Sequence, residues 1–260
     1  MSKLDGKVAI ITGASRGIGR GIALALAREG ARVVAASRSR PALDDLVGQI
    51  QAAGGKATAC SCDVGVRAQV AATVEQAARE YGTVDILVNS AQGFGTAAAS
   101  ASAPVLHPLE ELNEDEWEYT MRTGPLATLW AMKAAFPYLS RSGGKIINFC
   151  SGQGLVGAEG GASYNSAKEA IRALSRTAAR EWGKHGICVN IICPLVHTET
   201  TAAYFAQRPH LEDALLAQLP LRRMGTPDDV GALAVFLSSP DSDFITGMTL
   251  MVDSGKNMTA

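Results

Sequence analysis

The sequence has 260 residues, 47% of them hydrophobic, and a formal net charge of −1. That length suits one α/β domain with a sizeable core, and the charge balance leaves no electrostatic footprint for nucleic acid or an anionic membrane. No charged start leads into an apolar segment and no apolar span is long enough to cross a bilayer, so a cytoplasmic location is expected.

Val8–Thr12 is a short apolar run that ends at glycines and opens into the helical pattern Ile18–Glu29. Arg32–Ser37 is a second apolar run, followed by a helix from about Pro41 to Ala53. The alternation continues with strand Ala57–Ser61, helix Val66–Tyr81, strand Ile86–Asn89, helix Asp115–Phe136, strand Lys145–Phe149, helix Tyr164–Gly183 and strand Cys188–Ile192. Thr226-Pro227-Asp228-Asp229 reads as an N-cap, a proline at N1 and two acids near the positive end of a last helix. Thr249–Val252 closes the chain. Seven apolar strands alternating with helices predict a doubly wound parallel sheet of the Rossmann type, with helices on both faces, over residues 1–260.

Two stretches break the alternation. Gly93–Leu112 is rich in Ala, Ser and Pro, and reads either as a cover for a ligand crevice or as a surface insertion. Thr198–Leu221 holds Tyr204, Phe205, His210 and two short helical patterns and reads as a lid, since long loops after the carboxyl ends of strands cover the crevice of such folds. The five cysteines (Cys60, Cys62, Cys150, Cys188, Cys193) are odd in number and scattered. Cys60-Ser61-Cys62 has the wrong spacing for a redox or zinc pair, so buried thiols and no metal site are expected.

Thr12-Gly13-Ala14-Ser15-Arg16-Gly17-Ile18-Gly19 joins the first strand to the first helix. Glycines let backbone N–H groups approach a pyrophosphate, and the helix N-terminus favours the negative charge. The loop therefore predicts dinucleotide binding. NAD-selective sites place an acid at the end of the second strand, whereas a 2′-phosphate needs cations. Here the chain reads Ser37-Arg38-Ser39-Arg40, with Arg16 adding charge from the glycine loop, so NADP(H) is expected ahead of NAD(H).

Further on, Ser151 follows an apolar run, and Tyr164-Asn165-Ser166-Ala167-Lys168 lies in a helical pattern. The spacing of Tyr164 and Lys168 sets phenol and ammonium on one helix face. A free phenol has a pKa of about 10. A nearby positive charge favours the phenolate and brings proton transfer toward neutral pH. Gln153, Leu155 and Val156, with Phe94, Tyr204 and Phe205 from the long loops, are expected to line a mainly apolar pocket, and His197 is a further candidate.

The glycine loop, Ser151, Tyr164 and Lys168 together resemble the short-chain dehydrogenase/reductase family, and the late patterns Arg223–Asp228, Phe244–Gly247 and Val252-Asp253 are similar too. The resemblance implies an NADP-dependent oxidoreductase (EC 1.1.1.-) acting on a ketone or secondary alcohol, with the hydride supplied by the cofactor. It implies Tyr164 as acid/base, Lys168 lowering its pKa and binding the nicotinamide ribose, and Ser151 holding the substrate oxygen. Cofactor contacts are implied for Gly13, Ser15, Arg16, Gly17, Ile18, Gly19, Ser37, Arg38, Asp63, Val64, Asn89, Ala91, Pro194, Val196 and Thr198, with Thr198 and Thr200 both open for the carboxamide. It also implies a homotetramer or dimer built on the helices at Asp115–Phe136 and Tyr164–Gly183 and the last strand, with Ala131, Ala134 and Ala135 at the contact.

Three departures stand out. The family's N-N-A-G reads Asn89-Ser90-Ala91-Gln92-Gly93, its P-G reads Pro194-Leu195, and its catalytic asparagine is replaced by Gly124, followed by Pro125. With no amide at 124, a water on carbonyls freed at Gly124-Pro125 is expected to complete the proton path, or Gln153 or Asn113 to take over, and Gly124→Asn is expected to leave turnover unchanged or modestly raised. Two other readings stay open: a 3-oxoacyl thioester reductase that uses Arg122, Arg172 and Arg176 to meet an acyl carrier, and a non-catalytic NADP-binding redox sensor.

Overall fold

The computed structural model describes residues 2–206 and 209–258. In chain order the strands are β1 (Val8–Thr12), β2 (Arg32–Ser37), β3 (Lys56–Ser61), β4 (Ile86–Asn89), β5 (Phe94–Gly95), β6 (Ser100–Ala101), β7 (Gly144–Phe149), β8 (Ile187–Pro194) and β9 (Thr249–Val252). β5 and β6 form a separate antiparallel hairpin. The other seven form one parallel sheet in the order β3-β2-β1-β4-β7-β8-β9. This is the doubly wound Rossmann fold expected from the alternation.

Burial on both faces explains why these strands read as continuous apolar runs. Every residue of β1 and β4 is buried. Alternate side chains feed two cores: Ile11, Val33 and Ile147 face one, and Ile10, Val34 and Ile146 the other. The first core is covered by α1 (Gly17–Arg28), α2 (Arg40–Ala52) and α10 (Pro227–Ser238), the second by α3 (Arg67–Tyr81), α5 (Ala127–Leu139) and α7 (Ala162–Trp182). Thr226 caps α10 as predicted: Thr226 Oγ1 accepts from Asp229 N–H at 3.2 Å, and Asp229 Oδ2 accepts from Thr226 N–H at 2.7 Å.

Parallel register brings the carboxyl ends of β1, β2 and β4 together, with Thr12 opposite both Ala36 and Asn89. The strand order reverses between β1 and β4. In open α/β sheets the crevice at such a reversal is where ligands sit.

Two expectations need correction. The helix predicted for Asp115–Phe136 is broken into α4 (Glu114–Met121), a π-helical turn over Arg122–Leu126 and α5. Pro125 lies in that turn and has no N–H to give, which is why the regular ladder stops there. Ala131 and Ala135 are not at the surface; both are buried against Val70, Val74 and Ala77 of α3, so their small size serves packing inside the chain. The two short helical patterns after β8 do form helices, α8 (Glu199–Ala206) and α9 (Pro209–Gln218). Among the described residues no helix is long and apolar enough to cross a membrane, and all five cysteines are buried as free thiols.

Candidate active site

A cleft of about 880 Å³ opens at the carboxyl edge of the sheet. One side is the glycine loop: Gly13, Ser15, Arg16, Gly17, Ile18 and Gly19 all line it. The loop is tight. A Cβ on Gly13 would stand 2.9 Å from Ala91 Cα, and one on Gly19 would stand 2.4 Å from Gly13 O. Gly13 and Gly17 also have φ of +69° and +53°, a conformation that favours glycine. α1 starts here with no side-chain cap and no acid in its first turn, so its exposed N–H groups and positive end lack a counter-charge. A pyrophosphate fits that end.

Ser37, Arg38, Asp63, Val64 and Ala91 continue the wall. Arg38 Nη1 donates to Tyr119 Oη at 3.3 Å, which holds the guanidinium over the cleft. Arg40 instead pairs with Asp44 at 2.8 Å, on the outside of α2. Neither Arg16 nor Arg38 has an acidic partner among the described residues. The donor set is therefore suited to a phosphate, beside an uncapped helix and a tight glycine loop.

The other wall carries Phe94, Cys150, Tyr164, Lys168 and Pro194. Ser151 follows β7 by two residues and caps α6 (Gly152–Val156), with Oγ accepting from Gln153 N–H at 3.3 Å. Its hydroxyl lies against the Tyr164 phenol and favours the phenolate. The Phe94 ring packs at 5.7 Å on Tyr164, and Lys168 Nζ lies 5.5 Å from the same ring's centroid. Burial pushes Tyr164 up to about 12, and the Ser151 hydrogen bond only partly offsets this. Burial also pushes Lys168 down to about 8. The phenol thus stands above its ordinary value, where the ammonium was expected to lower it. Loss of hydration outweighs attraction across that separation. Cys150 and Cys193 are hydrogen-bonded behind this wall. That bond holds the Cys150 thiol below its ordinary value, and the Lys168 charge adds to the effect.

Several predicted residues lie elsewhere. Asn89 points into the sheet, where Nδ2 donates to Asn148 Oδ1 at 2.8 Å. Val196 is buried beside a backbone bridge to Gly225. Leu155 packs on Cys150, Ile191 and Cys193. Gln153, Val156 and His197 are exposed, while Tyr204 and Phe205 meet edge to face at 5.2 Å. None of these lines the cleft. Thr198 and Thr200 both do. Thr198 shares hydrogen bonds with Thr201 at the start of α8. Leu195 in place of glycine brings no strain, because its φ is not positive.

Sequence reasoning missed Ser100, Ser102, Tyr119, Thr123 and Glu199, all on the cleft wall, and read Gln92, which also lies there, only as a departure from the family's glycine. Ser100 and Ser102 settle the reading of 93–112 as cover, since the β5–β6 hairpin forms part of the wall. The alternatives named for the missing amide are both engaged elsewhere: Asn113 Oδ1 accepts from Asp115 N–H at 2.8 Å as the cap of α4, and Gln153 faces solvent. A Cβ on Gly124 would stand 2.6 Å from Gln92 Oε1, so an asparagine there requires Gln92 to move.

Comparison with known proteins fits this geometry. A family model described as "Enoyl-(Acyl carrier protein) reductase" matches residues 13–257. A 12alpha-hydroxysteroid dehydrogenase from a Clostridium species is 38% identical over 263 residues, covering 98% of each chain. Gluconate 5-dehydrogenase from Gluconobacter oxydans is 36% identical over 254 residues, covering 97% of this chain and 95% of that one. The structure of a candidate NAD(P)-dependent gluconate 5-dehydrogenase from Beutenbergia cavernae, holding NADP at low occupancy, superposes with a TM-score of 0.89 at 30% identity, covering 98% of both chains. With near-complete coverage, a shared fold and the same order of motifs, the chain belongs to the short-chain dehydrogenase/reductase family of oxidoreductases.

Proposed function

We propose that the whole chain is one catalytic domain, an NADP(H)-dependent oxidoreductase that interconverts a ketone and a secondary alcohol. The observation that carries the reading is convergence: Tyr164 and Lys168, with Ser151 against the phenol, face the same cleft as the uncapped glycine-loop helix. When bound, the dinucleotide supplies or takes up the hydride. Gly13, Ser15, Gly17, Ile18 and Gly19 hold its pyrophosphate, Arg16 and Arg38 its 2′-phosphate, and Asp63 and Val64 flank the adenine. Ser151 donates to the substrate oxygen. Tyr164 gives that oxygen a proton on reduction and takes it back on oxidation. Lys168 stabilises the phenolate left behind, once substrate and phosphates change the hydration that now raises the phenol.

Phe94 and the β5–β6 hairpin cover the reacting end, which favours a substrate with an apolar body. The relatives' names, a hydroxysteroid and a gluconate dehydrogenase, point to hydroxyl oxidation or its reverse. A 3-oxoacyl thioester reductase is the second reading, favoured by the description of the matching family model. Arg172 is engaged with Glu169, which removes one of the three cations offered to an acyl carrier. Steady-state NADPH oxidation against ketones, hydroxysteroid-derived ketones, keto-gluconates and acetoacetyl thioesters tests the proposal. Turnover of the thioesters alone moves the second reading to first place, and no turnover of any carbonyl leaves an NADP-binding sensor.

A further inference from the structure

Gln92 stands where the family pattern N-N-A-G has its glycine, and its side chain fills the space facing Gly124. Its Nε2 donates to Gly93 O and Thr120 O, both at 3.1 Å, with Thr123 Oγ1 at 3.4 Å. Three acceptors around one nitrogen fix the orientation of the amide, since the flipped form would set oxygen against two carbonyls. Thr120 O lies five residues before Pro125, which has no N–H to return to it. The Gln92 amide thus stitches the π-helical turn closed. Its other atom is left over: Gln92 Oε1 is buried and has no donor in the protein. An orphaned acceptor of this kind carries a desolvation penalty of about 1–3 kcal/mol unless a water meets it. The same turn packs against α7, which carries Lys168, and Gln92, Thr123 and Lys168 line one cleft.

We infer that Gln92 is a positioning residue whose Oε1 holds the water through which Lys168 exchanges its proton with solvent, so that Gln92 and Gly124 form a matched pair. This rests on the oxidoreductase reading. Gly124 is needed because any side chain there would occupy the space of the amide. The sequence change that looked like a loss at 124 is therefore compensated at 92.

The test combines a structure with a double-mutant cycle. A high-resolution crystal structure of the wild type with NADP should show an ordered water on Gln92 Oε1, directed toward Lys168; a dry Oε1, or Gln92 turned away from Gly124, overturns the inference whatever the activity. In kinetics, Gln92→Leu keeps the bulk and removes the amide, and should lower kcat about tenfold with KM for NADPH unchanged and the pH profile of kcat altered. Gly124→Asn alone should also slow turnover, whereas Gln92→Gly combined with Gly124→Asn should recover most of it. Wild-type kcat and pH profile in Gln92→Leu, or a double variant no faster than Gln92→Gly, overturns it. Failure of the wild type on every carbonyl removes the oxidoreductase reading, and the water in the crystal still decides the placement.

Discussion

Lys168 Nζ lies 5.5 Å from the centroid of the Tyr164 ring, and burial moves the two groups apart on the pH scale. The phenol goes up to about 12 and the ammonium down to about 8. At neutral pH the pair is a protonated phenol beside a largely charged amine, ready to donate a proton rather than accept one. That state matches carbonyl reduction. Oxidation requires the phenolate, which the bound cofactor and substrate must stabilise.

The lysine gives a pH signature. Its pKa is about 8 folded against 10.5 unfolded. Between those values the unfolded chain binds the extra proton, so this group's contribution to stability rises with pH across that window. Lys168→Met should abolish that rise. Chemical denaturation of both proteins as a function of pH checks it, and a constant difference across the window would refute the assignment.

Tyr164→Phe removes the transferable proton and leaves the ring that packs on Phe94. Reduction should fall by two orders of magnitude or more, the usual scale of lost general-acid catalysis. NADPH affinity by fluorescence titration should be nearly unchanged. A variant retaining a tenth of wild-type turnover would exclude Tyr164 as the acid.

Much of the fold was legible because strand, turn and helix signals agree: the apolar runs β1, β2, β4 and β9 fall on their predicted residues, and the Thr226 cap forms as read. The site was legible where chemistry depends on backbone, as at Gly13 and Gly19, or on a fixed helical offset, as at Tyr164 and Lys168. It was not legible where a side chain's direction is set by distant packing. Val156 follows Ser151 closely yet faces solvent, because α6 turns it outward. Gln92 read as an isolated loss of glycine, and its role appears only when the turn at Gly124, remote in sequence, is brought against it.

Cofactor preference follows from Arg38, held by Tyr119 at 3.3 Å. Ser37→Asp with Arg38→Leu should weaken NADPH and favour NADH, changing the ratio of kcat/KM values by on the order of a hundredfold, the scale of one lost charge-assisted contact plus a repulsion. Equal or better kcat/KM for NADH in the wild type would overturn the NADP assignment.

Assembly into a tetramer or dimer remains the expectation, resting on exposed apolar side chains other than the buried alanines. Phe244, Met248 and Leu126 are exposed apolar residues, Phe244 fully so, and burying such side chains against a second copy is favourable. Light scattering at micromolar concentration should give an oligomer, and Phe244→Glu should weaken it. A monomeric wild type would refute the expectation.

Glu116 ties the cover to the catalytic helix. It is 4% exposed, accepts from Ser163 Oγ at 3.1 Å and meets His107 Nε2 at 3.3 Å. His107 N–H also donates to Gly160 O at 3.0 Å, just before α7. Ser163 is the neighbour of Tyr164, so the carboxylate joins the stretch after β6 to the residue next to the phenol. Glu116→Leu leaves a buried hydroxyl and an imidazole without partners and should destabilise the fold by about 1–3 kcal/mol. Glu116→Gln keeps the shape and can still accept from Ser163. It should therefore retain most of the stability while loosening the His107 contact. The expected readout is faster amide exchange around His107 and a raised KM for the carbonyl, with NADPH affinity unchanged. Unaltered exchange at His107 in both variants would show that the cover is held by its backbone alone.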